Sequence, residues 1–492
     1  MGQAGANRHF FAQLSFTCKL KHHLPVLLRF FRINDPYRLL ALFVIIVLIS
    51  LPFLLLPTGP LLGEIKNTVL GEAIAEGKLM YIQVFDDTPP LASALFGLMH
   101  ILFGRSVLAG HIVAMAIVFF QASYFAVLLI NNKAYAENTY LPALVYGVLC
   151  FFSFDLLSFS PDLLASMVLL FALNQLFHEV EFKIQQDEIV LKLGVYLGLA
   201  TFIVFSYWVF LLLTIFILIA LTRARFRKIT LMVFGFLLPH ALLFTLYFYW
   251  GKTGLLWQNF YASNLTFSGT MLVSMKGLFI LAAVPLSYFV FSIFMMNREA
   301  RFTKYQSQLM QVMFLWLLFS FIQVLVERQV TPASLIVFIP PLAYFISHCL
   351  LLIRRRWRAE LMLWVFLGAI ISVNFLSRSG RIEGVDFQHL FPRKGNEAYP
   401  VSGKKVMVLG DNMALYQHNS LGGCFLNWEL SKPIFEDMAR YDHVEIVSSC
   451  FSGYPPEVVL DKENLMKAVM ERVPSIALQY RKEGQVYRRI NN

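Results

Sequence analysis

Acidic side chains gather in one short stretch of a chain that is otherwise apolar. Between Gly63 and Gly104 the sequence reads GEIKNTVLGEAIAEGKLMYIQVFDDTPPLASALFGLMHILFG, and Glu64, Glu72, Glu76, Asp86 and Asp87 all fall within it. A second acidic feature, Ser158-Phe159-Ser160-Pro161-Asp162-Leu163-Leu164, follows further along. Carboxylates at a membrane surface suit two tasks. They can act as a general base on an incoming hydroxyl or amine, or seat a divalent ion against a phosphate leaving group. Glu64, Asp86, Asp87 and Asp162 are therefore the candidate catalytic residues. Asp86 and Asp87 are also candidate ligands for Mg²⁺ or Mn²⁺. Lys66, Lys78, Lys276 and Arg328 are the basic side chains near enough to meet a phosphate. Taken singly, each carboxylate reads as readily as a solvated loop side chain. Asp162, in the first turn of a helix, reads more readily as a cap for open N–H groups. The joint arrangement is what points to a site.

The elements that must position these groups are membrane spans. Of 492 residues, 58% are hydrophobic and only 14% charged, with a mean hydropathy of +0.63. A soluble protein carries roughly 25% charged residues. Repeated apolar segments of about 20 residues define a polytopic membrane protein. The net charge of +11 is then a matter of topology, with basic loops held on the cytoplasmic side, and calls for no nucleic-acid partner. The polar, basic residues ahead of Tyr37 lack a cleavable signal pattern, so the first apolar segment is expected to stay as a span. Cys18, Cys150, Cys349, Cys424 and Cys450 show no metal-ligand spacing.

Residues 1–38 form a basic cytoplasmic tail; Arg8, Lys19, Lys21, Arg29, Arg32 and Arg38 fix it inside and against anionic lipid. The spans expected after it are 39–56, 107–130, 140–156, 162–178, 230–250, 277–296, 309–326, 333–353 and 359–376. The long run 193–221 makes two more, split at Ser206-Tyr207-Trp208. The first outer loop is 57–106. Within it Pro89 and Pro90 pre-set a helix. The apolar run Leu91 to Phe103 would cover about 20 Å, too short for a hydrocarbon core of about 30 Å. It is expected to lie in the interface. Letting it cross would put the arginine clusters at 223–228 and 354–358 outside. The positive-inside rule selects about 11 transmembrane helices, with the N-terminus in and the C-terminus out.

Past residue 376 the composition changes. Residues 377–492 are expected to form a small extracytoplasmic α/β domain. Val406 to Leu409 and Val444 to Val447 read as strands, Val458 to Leu460 as a third, shorter one, and Asn464 to Glu471 as a helix. Cys424 and Cys450 are either two buried thiols or, in an oxidising outer compartment, a disulfide. Gly410-Asp411-Asn412, at a strand end, reads as a turn.

Several short motifs resemble those of the GT-C superfamily of polytopic glycosyltransferases, which includes the aminoarabinose and dolichyl-phosphate-mannose protein transferases. They are Gly77-Lys78 through Tyr81, Asp86-Asp87-Thr88-Pro89-Pro90-Leu91, Leu102-Phe103-Gly104-Arg105-Ser106, Pro161-Asp162-Leu163-Leu164-Ala165, and Arg328 followed by Pro340-Pro341-Leu342-Ala343. The resemblance covers residues 37–376 and places the helix after Pro90 at the membrane surface. The whole chain is also similar to a group of bacterial inner-membrane proteins of this fold. One departure matters. The acidic pair that follows the family's first span stands here as Gly63-Glu64, so Gly63 occupies the usual catalytic Asp position.

The resemblance implies transfer of a sugar from a polyprenyl-phosphate donor at the outer leaflet to a lipid, glycan or protein. Glu64 or Asp86 would be the base. Asp87 and Asp162 would hold metal or acceptor, and Arg328, Lys78 or Lys66 would meet the phosphate. The alternative is a catalytically inactive scaffold for envelope assembly or secretion, docking an envelope partner through residues 377–492. A coupled transporter is disfavoured, because no charged residues lie well inside the spans and no inverted repeat of broken helices is seen.

Overall fold

The computed structural model describes residues 27–55, 59–181, 186–266, 270–299, 301–392 and 401–490. The basic tail lies outside the described residues as far as residue 26. Its last part forms one helical turn, Leu27–Phe31, whose open Leu27 and Leu28 N–H groups are taken by the Glu360 carboxylate.

Each of the expected spans has a helical counterpart. In chain order the helices are α1 (Arg38–Leu55), α2 (Leu62–Ala75), α3 (Pro90–Phe103), α4 (Val107–Asn131), α5 (Leu141–Leu149), α6 (Pro161–Val180), α7 (Asp187–Thr201), α8 (Val209–Ala220), α9 (Phe226–Tyr249), α10 (Met275–Glu299), α11 (Lys304–Val326), α12 (Ile339–Leu352) and α13 (Arg356–Arg378). Among the described residues, seven apolar helical segments are long enough to cross a bilayer: α4, α6, α9, α10, α11, Pro332–Leu352 and α13. The segment Pro332–Leu352 is a 3₁₀ turn running into α12. The other four counterparts, α1, α5, α7 and α8, are shorter or less apolar. The split at Ser206 is a 3₁₀ turn, Phe205–Trp208, between α7 and α8. Leu242, Phe248, Val290 and Phe294 point out of the bundle, as side chains do where lipid is the solvent.

Small residues let the helices approach closely. A Cβ on Gly194 of α7 would stand 2.1 Å from the Met232 carbonyl of α9, and one on Gly235 of α9 would stand 2.6 Å from the Leu191 carbonyl. This backbone-to-backbone contact is the packing that substitutes for a hydrophobic drive inside lipid.

Between α1 and α4, α2 and α3 pack on each other outside the spans. Gly71 meets the Phe96 carbonyl and Gly97 meets Ile74, each closer than a Cβ would permit. Helix α3 buries Ala92, Ser93, Phe96 and Gly97 and leaves Leu98, Ile101, Leu102 and Phe103 exposed. Its 14 residues and open apolar face suit the membrane interface.

The C-terminal domain is a five-stranded sheet with flanking helices. Its strands are β1 (Lys405–Leu409), β2 (Ser420–Leu421), β3 (Val458–Asp461), β4 (Tyr480–Glu483) and β5 (Val486–Arg489), in the order β2-β1-β3-β5-β4. The first three run parallel; β5 is antiparallel to β3, and β4 to β5. The helices are α14 (Trp428–Glu436), α15 (Tyr441–Gly453) and α16 (Met466–Arg472). The strand expected at Val444 to Val447 is instead part of α15. Three apolar residues and Glu445 in a window of four are too few to show a period. In the longer window Val447, Cys450 and Phe451 fall on one buried helical face. Cys424 and Cys450 are joined in a disulfide, with Cα atoms 5.8 Å apart.

Candidate active site

Glu64 sits in the first turn of α2. Its Oε2 accepts a hydrogen bond from the Leu61 N–H at 2.8 Å, which orients the carboxyl, and its Oε1 lies 2.8 Å from Nε2 of His111 on α4. The pair stands between two cavities. One, of about 40 Å³, is lined by Ser50, Leu61, Glu64, His111, Ser158 and Arg378. The other, of about 60 Å³, is lined among others by Glu64, Asn67, Thr68, His100, Arg105 and Ser106. Both exceed the roughly 10–15 Å³ that one water needs. A carboxylate fixed by a backbone N–H and an imidazole, with a guanidinium and two hydroxyls across the cavity, can take a proton from a hydroxyl and hold an anion nearby. A Cβ on Gly63 would meet nothing within 4 Å, so the position without a carboxylate is sterically open.

Asp86 and Asp87 form a second cluster. Lys66 Nζ lies 3.0 Å from Asp86 Oδ1 and 3.3 Å from Asp87 Oδ1. Arg328 NH1 lies 2.9 Å from Asp87 Oδ2, while its NH2 lies 2.6 Å from Glu429. Asn427 Nδ2 donates to Asp87 Oδ1 at 2.9 Å. Burial raises the Asp86 pKa, with Lys66 opposing. Burial acts on Asp87 the same way, but Lys66 and Arg328 more than offset it and leave the carboxyl below its usual range. Burial would also lower the Lys66 pKa; the two carboxylates outweigh it and hold the ammonium charged. The ammonium already stands where a dication shared by Asp86 and Asp87 would sit. Among the described residues no three His, Cys, Asp or Glu side chains converge on one point. The donors present do not fit a divalent ion.

Asp162 belongs to a third place. The N-cap of α6 is Ser160, whose Oγ accepts from the Leu163 N–H, so the cap expected of Asp162 falls to its neighbour. The Asp162 carboxyl is buried and faces Glu327, just past α11. Lys78 is likewise drawn elsewhere. Its ammonium donates to the Leu421 carbonyl at 3.1 Å and lies over the Tyr454 ring, both in the C-terminal domain. Burial lowers its pKa, against the pull of Glu76.

The four candidate carboxylates are thus spread over three clusters, and Lys66 and Arg328 accompany Asp86 and Asp87. His111, Arg378 and Glu327 were not singled out as site residues from sequence. The first left a usable signal, a histidine inside the apolar run 107–130; Arg378 looked like a span-end residue and Glu327 like part of an outer turn.

The fold and these clusters define a polytopic, mostly α-helical membrane protein with a small C-terminal α/β domain. It is similar to two crystal structures of ArnT from Cupriavidus metallidurans. The one bound to undecaprenyl phosphate is 14% identical, with a TM-score of 0.48, over 68% of this chain and 64% of that one. The apo structure is 13% identical, with a TM-score of 0.45, over 67% and 63%. The chain thus spans just under two thirds of the length of those structures. No protein-family profile and no curated protein sequence matches it.

Proposed function

We propose that the protein is a membrane glycosyltransferase that takes a sugar from a polyprenyl-phosphate donor and passes it to a hydroxyl or amine acceptor. The reaction takes place at the outer leaflet of a bacterial inner membrane. The observation that carries this reading is the Glu64–His111 pair, 2.8 Å apart and set between two cavities, one of them lined by Arg378. Glu64 removes the proton from the acceptor hydroxyl. The freed oxygen forms a bond to the anomeric carbon as the bond from that carbon to the phosphate oxygen breaks. The polyprenyl phosphate leaves with that electron pair, its charge held by Arg378. His111 orients the base. The positive-inside rule supports a cytoplasmic N-terminus and an outer C-terminal domain, and the Cys424–Cys450 disulfide supports an oxidising compartment for that domain.

The test is Glu64→Gln, which keeps shape and removes the base. Purified wild type and variant in nanodiscs are given radiolabelled polyprenyl-phosphate sugars and envelope lipid extract. Transfer by the wild type that falls about 10²–10⁴-fold in the variant supports the reading. Equal transfer by both overturns it.

A further inference from the structure

The Glu64 reading leaves unused a group of carboxyls at the outer ends of α6 and α11. Asp162 is buried, and its carboxyl is in hydrogen-bond contact with that of Glu327. Glu327 is partly exposed as a residue, but its carboxyl turns inward, where Oε2 accepts from Gln323 Nε2 at 2.8 Å. Neither carboxyl takes part in an ion pair among the described residues. Two facing carboxylates cannot hydrogen-bond without a proton between them, and two buried negative charges in contact, with no cation to offset them, repel strongly.

Independent groups aim at the same spot. The Tyr207 hydroxyl, fully buried in the 3₁₀ turn before α8, faces both carboxyls and has no hydrogen-bond partner. Asp162 Oδ1 and Gln323 Oε1 are also buried without partners. The other titratable group facing the pair is Asp155, whose carboxyl accepts from Ser153 and from the Ala333 N–H. The neighbouring Arg328 turns away to Asp87 and Glu429.

We propose that Asp162 and Glu327 are a proton-binding site, a carboxyl pair that holds one shared proton at neutral pH and so latches the outer end of α6 to that of α11. Loss of the proton leaves like charges in contact and releases the latch. The supporting electrostatics agree: burial, then the facing Asp162, raises the Glu327 pKa. Asp155 lies within electrostatic reach of Asp162 on one side and of Glu64 on the other. A change in the charge of the pair is expected to reach Glu64 through Asp155. That last coupling rests on the proposed function; the pair itself does not.

The test needs no substrate. Infrared difference spectra of the full chain in nanodiscs are recorded across pH in H₂O and D₂O, for wild type, Asp162→Asn and Glu327→Gln. A protonated-carboxyl stretch present in the wild type at neutral pH, deuterium-sensitive, and moved by at least one pH unit in both variants, establishes the site. If one variant fails to fold, the other and the wild-type titration still decide. Absence of the band at neutral pH, a band unchanged in the variants, or its loss on adding Na⁺ or Ca²⁺ overturns the proton assignment; the last outcome makes it a cation site. Coupling to Glu64 is read separately, as a shifted pH profile of transfer in Glu327→Gln.

Discussion

Asn427, in the C-terminal domain, donates its side-chain amide to Oδ1 of Asp87 at 2.9 Å, across 340 positions of chain. Asn427 is also the N-cap of α14, where its Oδ1 receives the Glu429 and Leu430 N–H groups. The next residue but one, Glu429, pairs with Arg328, which in turn grips Asp87. Phe85 stacks near Phe425 and exchanges backbone hydrogen bonds with residues 424–427. The acidic loop is thus the seat on which the C-terminal domain rests, and Lys66 is the charge that makes that seat tolerable.

Replacing Lys66 with Met tests this directly. It leaves two buried carboxylates with less compensation, at a cost of about 3–5 kcal/mol, read as a lower Tm in detergent. The pH signature separates charge from packing. The lowered pKa of Asp87 means that its contribution is present above the ordinary value of 3.8 and lost as pH falls below it. The raised pKa of Lys66 means that its contribution is present below 10.5 and lost as pH rises beyond that. The wild type should therefore weaken at both extremes. Lys66→Met should lose the alkaline limb and approach the wild type as acid neutralises the carboxyls.

The Cys424–Cys450 bond closes a loop spanning 26 positions that carries Phe425, Asn427 and all of α14. Removing it with a double Cys→Ser change should destabilise the domain by about 2–4 kcal/mol. In a Cys18→Ser background the protein should resist a maleimide probe until reduced, because the remaining described cysteines, Cys150 and Cys349, are buried in the bundle. Faster proteolysis between residues 393 and 490 in the variant, with the spans intact, is the expected pattern.

Much of the fold was legible because lipid simplifies the code. Apolar length and the placement of Arg and Lys anticipate α4, α6, α9, α10 and α13 within a few residues, and the Ser206 break as well, whereas α5 ends at Leu149, well short of the expected 156. Pro89-Pro90 marks the start of α3. Less could be read where a signal needs a partner far away. Val444–Val447 has apolar content but too short a window to show its period. Asp87 and Asn427 carry no sign of each other in sequence. The site suffered most from this. Acidic residues clustered along the chain suggested one centre, yet side chains two apart on α2, Glu64 and Lys66, serve different clusters. Glu64 met His111, a residue without acidic company in the sequence.

Two glycines on α2 should respond oppositely to a side chain. A Cβ at Gly71 would stand 2.4 Å from the Phe96 carbonyl, which is backbone and cannot yield without parting α2 from α3. Gly71→Ala should cost about 1–3 kcal/mol. Gly63 is open, and it lies in the first turn of α2. Gly63→Asp gains about 0.1–0.3 kcal/mol of helix propensity over Gly and a further 0.3–1 kcal/mol, roughly, from the helix dipole. Thermal melts of the two variants should move in opposite directions. If Gly63→Asp melts below the wild type, the open position is not open.

His111 offers the sharpest check on the division of labour around Glu64. It touches Glu64 Oε1, while Oε2 keeps the Leu61 N–H whether or not the imidazole is present. Removing it should leave a base that is present but poorly oriented. His111→Ala should therefore reduce kcat by about 10–10²-fold, less than Glu64→Gln, with little change in donor KM. His111→Gln, whose amide can still donate to the carboxylate, should recover part of the loss. The double variant with Glu64→Gln should be no worse than Glu64→Gln alone, because a histidine that acts only through Glu64 has nothing left to orient. An additional loss in the double variant would mean that His111 contacts the substrate itself.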